Sequence, residues 1–329
     1  MLSGFVHNID PIIGQVTGFY LWWYGLGYTL GFLHLHLFLG RCRQRLALSQ
    51  REVHSLSLFI ILGVLLGARF IEVAFDEWPF YSQHPWLILF FWLGGMASHG
   101  VLLGSAVAIV AFARLHRKSL LLIADAVVIP GAFLLGMGRI GNFIDGQIVG
   151  AVTEVGWGVK FPDTEGFRHP VVLYDGIKNL LLIPFLLWVR RTNPTPGATA
   201  ARFIFWYPFL RIFIDLFRDY PTHRLTLGTG QTLNLLMVLV GGFLLFRSRQ
   251  RRLGKLGPSA QLPPSAPQVE EQPLILQRMA LIGLLLFSLV LPSNWTQDIP
   301  QRYGKRHPGL RHSLLYPEID TSPKATNRR

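Results

Sequence analysis

The residues best suited to chemistry in this chain are charged side chains that stand within or beside long apolar stretches. The group comprises five arginines and three carboxylates: Arg69, Arg139, Arg168, Arg211, Arg218, Glu72, Asp145 and Asp215. A guanidinium group stays protonated when buried, and its planar fork of N–H donors matches the oxygens of a phosphate. Because the arginines outnumber the carboxylates, the group predicts a binding site for a phosphate-bearing anion.

The spacing of three of these residues along the chain places their side chains on the same face of a helix. Arg211, Asp215 and Arg218 stand at i, i+4 and i+7, which is one face of a helix. His99 is the candidate proton acceptor, because an imidazole can accept a proton near neutral pH. No metal site is expected, because the group contains no cluster of carboxylates, histidines or cysteines.

Structural roles compete with these functional ones. Arg139 stands at the end of an apolar stretch, where an arginine commonly extends to the lipid headgroups. Arg211 lies about 14 Å into its stretch by helical rise, but an aspartate one turn further can neutralise it. Arg69 and Glu72, at i and i+3, favour a structural ion pair, and His99 alone is also compatible with a packing role.

Composition indicates the environment of these residues. Among the 329 residues, 50% are hydrophobic and 15% are charged, and the mean hydropathy is +0.37. This is too apolar for an ordinary soluble domain, so the chain is predicted to be a membrane protein. The net charge of +13 does not indicate nucleic-acid binding, because the basic residues fall between apolar stretches instead of forming one face.

Seven apolar stretches are long enough to cross a bilayer, which takes roughly 20 helical residues. They lie near residues 16–38, 57–76, 86–112, 120–137, 171–189, 202–218 and 229–246. The sequence therefore predicts an all-α polytopic membrane protein built as a seven-helix transmembrane bundle. Residues 1–250 are expected to hold this catalytic core, with a small outer-face loop region at residues 138–170.

Basic residues in the connections predict the orientation of the bundle. Four connections, after the first, third, fifth and seventh stretches, carry most of them: Arg41, Arg43, Arg45, Arg51, Arg114, Arg117, Lys118, Arg190, Arg191, Arg247, Arg249, Arg251 and Arg252. Connections of this kind face the cytoplasm. The amino terminus and residues 77–85 lack lysine and arginine, so the amino terminus is expected outside.

Other regions depart from this regular pattern. The stretch 86–112 is longer than a straight crossing requires, and its glycines at 94–95 favour a bent or re-entrant entry. The composition of residues 251–275 predicts a Pro-rich flexible linker. Residues 276–292 form a possible extra membrane segment, and residues 293–329 are expected to be a basic disordered tail.

Several short motifs, taken in order, resemble a known family. Residues 138–150 read Gly-Arg-Ile-Gly-Asn-Phe-Ile-Asp-Gly-Gln-Ile-Val-Gly, which is similar to the signature of the prolipoprotein diacylglyceryl transferases. The resemblance extends over residues 16–246 through further motifs: Trp23-Tyr24-Gly25-Leu26, Gly67-Ala68-Arg69, His99-Gly100, Trp157-Gly158-Val159, Phe161-Pro162, Arg168-His169-Pro170, Leu173-Tyr174, Arg211 to Arg218 and Gly230-Gln231.

The resemblance implies an enzyme of the bacterial cytoplasmic (inner) membrane. Such an enzyme transfers the diacylglyceryl group of phosphatidylglycerol to the lipobox cysteine thiol of a prolipoprotein, forming a thioether and releasing glycerol phosphate. This is the first step of lipoprotein maturation. The implied partners are phosphatidylglycerol, prolipoprotein signal peptides with a lipobox cysteine, and the lipid bilayer; no nucleic acid, metal or cofactor is implied.

The resemblance also implies roles for particular residues. The expected catalytic residues are His99, which would take the thiol proton, and Arg139 and Arg211, which would stabilise the leaving phosphate. The expected substrate-binding residues are Tyr24, Asn142, Arg139, Arg168, Arg218 and Gly150. The expected supporting residues are Arg69, Glu72, Gln147 and Asp215.

The chain departs from the family pattern at several positions. Asp145 and Gln147 stand in a segment that usually reads Asn-Gly-Glu, Asp215 replaces a glutamate, and Val101 replaces the second glycine of His-Gly-Gly. A glutamine at position 147 can hold an arginine but cannot receive a proton as a glutamate can. These departures leave open a catalytically impaired, lipid-binding relative. A transporter or flippase for an anionic lipid is a second alternative, because it would also need arginines in a helical bundle.

Overall fold

The computed structural model describes residues 4–162, 164–219, 229–254, 274–293 and 296–319. Within this part, five helices are long and apolar enough to cross a membrane: Gln50–Asp76, Ser98–Leu115, Leu120–Ile144, Val171–Thr192 and Gly230–Arg252. The prediction of a helical, polytopic membrane protein is therefore confirmed.

Short strands and turns join these helices. The elements in chain order are β1 (Phe5–Val6), β2 (Ile12–Val16), β3 (Phe19–Trp22), α1 (Trp23–Cys42), α2 (Gln50–Ile71), α3 (Trp78–Tyr81), α4 (Ser98–Leu115), α5 (Leu120–Ile144), β4 (Val159–Lys160), α6 (Val171–Thr192), α7 (Ala198–Asp215), α8 (Thr229–Arg252), α9 (Ile275–Ser288) and α10 (Ile299–Tyr303). A π-helical turn, Glu72–Asp76, extends α2, and 3-10 turns at Pro85–Leu89 and Phe91–Leu93 precede α4.

Glycines bring α2 and α4 into close contact. The sequence Gly-Val-Leu-Leu-Gly occurs in both helices, at Gly63 to Gly67 in α2 and at Gly100 to Gly104 in α4. A Cβ atom at Gly67 would lie 2.6 Å from the carbonyl oxygen of Gly100. Small residues at this spacing allow two helix backbones to approach closely. In a membrane, such van der Waals packing drives helix association, because the hydrophobic effect contributes little there.

The beginning of the first apolar stretch is not helical, which corrects the prediction for residues 16–22. β2 and β3 form an antiparallel hairpin, with Val16 opposite Phe19. Thr17 and Gly18 have φ angles of 50° and 89°, which fit a turn between strands and interrupt a helix. Helix α1 therefore begins only at Trp23.

The third apolar stretch is broken before its helix begins, as the sequence predicts. Gly94 and Gly95 have φ angles of 101° and 90°, and regular α-helix starts only at Ser98. Arg69 of α2 reaches into this break and donates from Nε to the carbonyl oxygen of Ile88 at 2.9 Å, and from Nη1 to that of Gly94. The side chain thereby satisfies backbone oxygens that the break leaves without helical partners.

The outer-face loop is shorter than predicted, because α5 continues to Ile144 and residues 138–144 are helical. After α5, the loop folds back on itself through isolated bridges that pair Val152 and Val159 with Arg168. β1 also pairs with β4 in parallel, with Phe5 opposite Val159. The amino terminus and this loop therefore form one surface layer.

Helix α9 packs beside α1 and α2. Near its beginning, Gln277 donates to the hydroxyl of Ser55 in the second turn of α2 at 3.3 Å. Just after its end, the carbonyl oxygen of Leu289 accepts from the backbone N–H of Trp22, which precedes α1, at 2.9 Å. At 14 residues, α9 is shorter than the five helices that are long enough to cross a membrane. Most of the predicted linker, residues 255–273, lies outside the described residues.

The structure corrects the expectation of a disordered tail for residues 296–319. Ile299, Tyr303, Tyr316 and Ile319 are buried in a cluster with side chains of β2, β3, α3 and the turns before α4. The backbone N–H of Tyr20 donates to the Tyr316 hydroxyl at 2.9 Å. These widely spaced apolar residues find partners only in the folded chain, so the basic, Pro-rich composition was misleading. Residues 320–329 lie outside the described residues.

Candidate active site

Three helices bring cationic side chains around one carboxylate. Asp175 of α6 is 2% exposed, and its Oδ2 accepts from Nε of Arg139, on α5, at 2.7 Å and from Nη1 of Arg211, on α7. Lys178, one turn further along α6, places its Nζ 2.7 Å from Oδ1 of Asp175. Gly176 allows the approach, because a Cβ atom there would already lie 3.2 Å from Cβ of Arg139.

A small cavity opens beside this carboxylate and carries a positive charge. Its charged lining residues are Arg139, Asp175, Arg211, Asp215 and Arg218. Asp215 is 3.8 Å from Arg211 and accepts from the side-chain amide of Asn234 at 3.3 Å. The lining therefore has three cations and two carboxylates, and Lys178 adds a further cation just behind it. Positive charge in an apolar bundle attracts an anion.

Arg139 is also connected to residues outside the carboxylate cluster. Its Nη1 donates to Oδ1 of Asn142 at 3.3 Å, and its Nη2 donates to the hydroxyl of Ser98, at the start of α4, at 3.1 Å. Tyr24 is buried against α5, where a Cβ atom at Gly141 would lie 2.6 Å from its Cα. The structure thus brings the predicted residues Arg139, Asn142 and Tyr24 to adjoining positions.

His99 lies in the first turn of α4, next to Ser98. Arg139 reaches this turn, since its Nη2 donates to the hydroxyl of Ser98, and Arg139 shares the carboxylate of Asp175 with Arg211. A Cβ atom at Gly230 of α8 would lie 3.8 Å from Cε1 of the His99 ring. The predicted proton acceptor and the two predicted catalytic arginines therefore lie in one neighbourhood.

Gly150 lies beside Arg218, which is one of the residues that line the cavity. Gly150 pairs with Arg218, and a Cβ atom at Gly150 would lie 2.8 Å from the carbonyl oxygen of Phe217. Glycine is therefore required for the close packing of this loop. Arg168 points elsewhere, because its Nη1 is 2.7 Å from Asp219 in an exposed ion pair.

Two predicted supporting residues lie apart from the cavity. Arg69 donates to the backbone carbonyl oxygens of the break before α4, as described above, in place of the ion pair with Glu72 that the sequence predicts. Gln147 is buried in the turn after α5, where its Oε1 accepts from Nη2 of Arg302 at 3.0 Å. Its amide also donates to the hydroxyl of Tyr303 at 3.3 Å.

The turn after α5 contains a second buried carboxylate, Asp145. Its Oδ2 accepts from the backbone N–H of Ser293 at 3.1 Å. Burial raises the pKa of Asp145 to about 7, and the contacts with Ser293 and the charges of Arg306 and Arg302 oppose that rise only in part. The residue therefore joins the end of α5 to the segment that follows α9.

Sequence reasoning missed Asp175 and Lys178 as members of the site. Both stand at i, i+3 within the apolar stretch that forms α6. Ionisable residues inside a span are costly unless they are paired. That rule, applied to every span, would have found them.

Comparison with known proteins identifies the family of the chain. The family model for prolipoprotein diacylglyceryl transferase matches residues 11–247. A protein of Nitrosomonas europaea named phosphatidylglycerol–prolipoprotein diacylglyceryl transferase is 39% identical over 250 residues, which cover 73% of this chain and 90% of the relative. A protein of the same name from Geobacter sulfurreducens is 34% identical over 256 residues, covering 75% and 98%. The chain belongs to the prolipoprotein diacylglyceryl transferase family.

Proposed function

We propose that this chain is a transferase that moves the diacylglyceryl group of phosphatidylglycerol to the lipobox cysteine thiol of prolipoproteins, as the first step of lipoprotein maturation. The observation that carries this proposal is the positively charged cavity formed by Arg139 and Arg211 around Asp175, in a chain of this family. Phosphatidylglycerol has one phosphodiester charge, which suits a lining with one excess cation.

In the proposed reaction, the cysteine sulfur attacks the glyceryl carbon that bears the phosphodiester. A C–S bond forms, the C–O bond to phosphate breaks, and glycerol phosphate leaves with the electron pair and one more negative charge. Arg139 and Arg211 stabilise the charge that develops, which lowers the barrier because the charge is greater in the transition state than in the substrate. His99 accepts the thiol proton.

The neighbouring residues hold the arginines in position. Asp175 fixes the guanidinium planes of Arg139 and Arg211, and Lys178 offsets its charge so that the arginines keep their attraction for phosphate. Tyr24 and Asn142 position the oxygens of the headgroup. Preorganised charge of this kind needs no rearrangement at the moment of reaction.

The proposed enzyme crosses the inner membrane of a bacterium with its amino terminus outside. α1 and α7 complete a seven-helix bundle with the five long helices, and α9 makes an additional crossing. This topology is supported by the arginines in the last turns of α1, α4, α6 and α8, because basic residues that flank a membrane helix favour the cytoplasmic side. The contacts of α9 support its crossing, since they extend from the second turn of α2 to the start of α1.

The direct test is a transfer assay with purified protein, labelled phosphatidylglycerol and a lipobox peptide. The wild type is expected to form the thioether product, and Arg139→Ala is expected to lower kcat by about 100- to 1000-fold, as loss of one oxyanion donor does. Arg114→Ala, an exposed arginine of α4, is the matched control and keeps full activity. Near-normal transfer by Arg139→Ala contradicts its role.

The same assay separates the two other functions. Binding of phosphatidylglycerol by the wild type without product indicates an impaired relative. Movement of labelled lipid between the leaflets of a vesicle without product indicates a flippase. Either result contradicts the proposed transfer reaction.

A further inference from the structure

Residues 296–319, the segment that follows α9, lie beyond the residues that match the family, 11–247. They nevertheless contact the turn after α5, residues 145–150. Nη2 of Arg302 donates to Oε1 of Gln147 at 3.0 Å, and the amide of Gln147 donates to the hydroxyl of Tyr303 at 3.3 Å. Nη2 of Arg306 donates to the carbonyl oxygen of Asp145 at 3.0 Å. Side chains of this segment therefore hold both residues that flank Gly146.

The segment is itself anchored to the outer face of the bundle. Tyr303 is fully buried, and its ring lies edge-on to Trp22 with 5.0 Å between ring centroids. Nδ1 of His307 is 2.7 Å from Oδ2 of Asp10, at the amino-terminal side. Because the segment packs against β3 and the loop before β2, it can act as a fixed support for the turn after α5.

The turn needs such a support because its backbone is strained. Ile148 has a φ of 58°, an unfavourable conformation for a β-branched residue, and Gly146 has a φ of 69°. Backbone strain of this kind persists only when surrounding contacts over-determine the conformation. Gln147 stands between these two residues and supplies contacts from its buried side chain.

The strained turn is part of the wall of the candidate active site. Ile148 lines the cavity that contains Arg139 and Arg211. Arg139 and Asn142 lie in the last two turns of α5, immediately before the turn, and Gly150, immediately after it, pairs with Arg218. A shift of the turn therefore moves groups on two sides of the cavity, and displacements near 1 Å can cost about 100-fold in rate.

We propose that Arg302 is a positioning residue for the transfer reaction: by holding Gln147, it keeps the 145–150 turn and the cavity wall in the geometry that binds the headgroup. This inference rests on the proposed function. It gives Gln147 a role in this chain as the acceptor of an arginine from outside the matched region. Arg302 is not among the residues that line the cavity, so its effect on the reaction is exerted through Gln147 and the turn.

The test compares Arg302→Ala and Arg302→Lys with Arg311→Ala. Arg302 and Arg311 are both exposed residues of the same segment, so neither alanine substitution empties a buried site. Arg302→Ala is expected to lower kcat/KM for phosphatidylglycerol about tenfold, the loss typical of one hydrogen bond to a charged group. Arg302→Lys is expected to recover part of it, and Arg311→Ala is expected to match the wild type.

Hydrogen exchange of the 145–150 amides supplies a second readout that does not depend on catalysis. Exchange there is expected to be faster in Arg302→Ala than in the wild type, with no change in Arg311→Ala. Unchanged exchange and unchanged kcat/KM overturn the proposal. Faster exchange with unchanged kcat/KM also overturns it, because Arg302 then has only a structural role.

Two further outcomes are distinguished by the design. If the wild type makes no product but Arg302→Ala exchanges faster, the transfer function fails, and with it the positioning role of Arg302 in that reaction, while its contact with the turn is supported. If Arg302→Ala does not fold, Arg302→Met replaces it, because methionine keeps an unbranched side chain at this position and removes the N–H group that donates to Gln147. The same pair of readouts then decides for or against the positioning role.

Discussion

At the residue scale, Asp175 organises the cationic site. Two guanidinium groups and one ammonium group, from three different positions, contact a single buried carboxylate. A buried carboxylate with three cationic neighbours stays ionised and orients them, whereas the same three cations without it repel one another at short range. The excess positive charge of the cavity therefore exists only because a negative group lies at its centre.

Replacing Asp175 by asparagine tests this arrangement. Asp175→Asn keeps the size of the side chain but leaves Arg139, Arg211 and Lys178 without their shared counter-charge. The free energy of unfolding in detergent is expected to fall by about 3–5 kcal/mol, the usual result of removing one partner of a buried ion pair. Asp219→Asn, at an exposed ion pair, is the control and is expected to change it by about 1 kcal/mol or less. Equal effects of the two variants would argue against the buried cluster.

Asp145 gives a second prediction at this scale, on pH dependence. Its pKa is raised by burial to about 7 in the folded chain, against an ordinary value of 3.8. The folded chain therefore keeps a proton that the unfolded chain releases, and stability falls as the pH rises from about 4 to about 7. Asp145→Asn keeps an oxygen for the N–H of Ser293 and removes this dependence.

The measurement for Asp145 is the melting temperature in detergent between pH 4.5 and pH 8. The difference between wild type and Asp145→Asn is compared at each pH, so that groups common to both cancel. The melting temperature of the wild type is expected to fall relative to that of Asp145→Asn as the pH rises from 4.5 to about 7. Above that pH the difference between the two is expected to stay constant. Parallel curves would show that Asp145 does not titrate in this range.

At the element scale, the glycine contact between α2 and α4 positions the proton acceptor. Gly100 and Gly104 pack on Gly63 and Gly67, and His99 directly precedes the first of them. The distance between the two helix axes therefore determines where the start of α4 presents its polar residues. Repeats of small residues at i and i+4 are recognisable in a sequence, but the partner helix is identified only when both are seen together.

Gly104→Val should separate the two helices, because a Cβ atom at this position meets the backbone of Gly63. The free energy of unfolding is expected to fall by about 1–3 kcal/mol, the usual cost of an overpacked site, and the melting temperature falls with it. The rate of transfer is also expected to fall, because His99 is displaced with the start of α4. Gly283→Ala is the matched control, since a Cβ atom there meets open space within α9. Normal stability and transfer in Gly104→Val would contradict a close-packed α2–α4 interface.

At the scale of the whole molecule, the sequence predicts what depends on local composition. Long apolar stretches predict membrane helices, and the glycines at 94–95 predict the break before α4. The hairpin at 12–22, the ion cluster around Asp175 and the packed segment 296–319 depend on contacts between residues far apart in the chain. Because these contacts join residues that are distant in the sequence, neither hydrophobic periodicity nor the distribution of charges along the chain predicts them.

The proposed topology gives a prediction at this scale, and the presence of a single cysteine makes it convenient to test. In a Cys42→Ser background, Val152→Cys and Leu314→Cys place thiols on exposed residues of the loop and of the segment after α9, and Arg249→Cys places one at the end of α8. A membrane-impermeant maleimide is expected to label the first two in intact spheroplasts and the third only after permeabilisation. Labelling of position 314 together with position 249 would exclude a crossing by α9.

The packed segment 296–319 also has a consequence for biogenesis. In the proposed topology, its Arg302, Lys305, Arg306 and Arg311 must be exported across the bilayer, although basic residues are normally retained in the cytoplasm. The ribosome reaches this segment after the seven-helix core has been synthesised. The newly made protein would therefore lack this support for its active-site turn until the segment is translocated and docked, so that export of a short basic peptide would complete the folding of the enzyme.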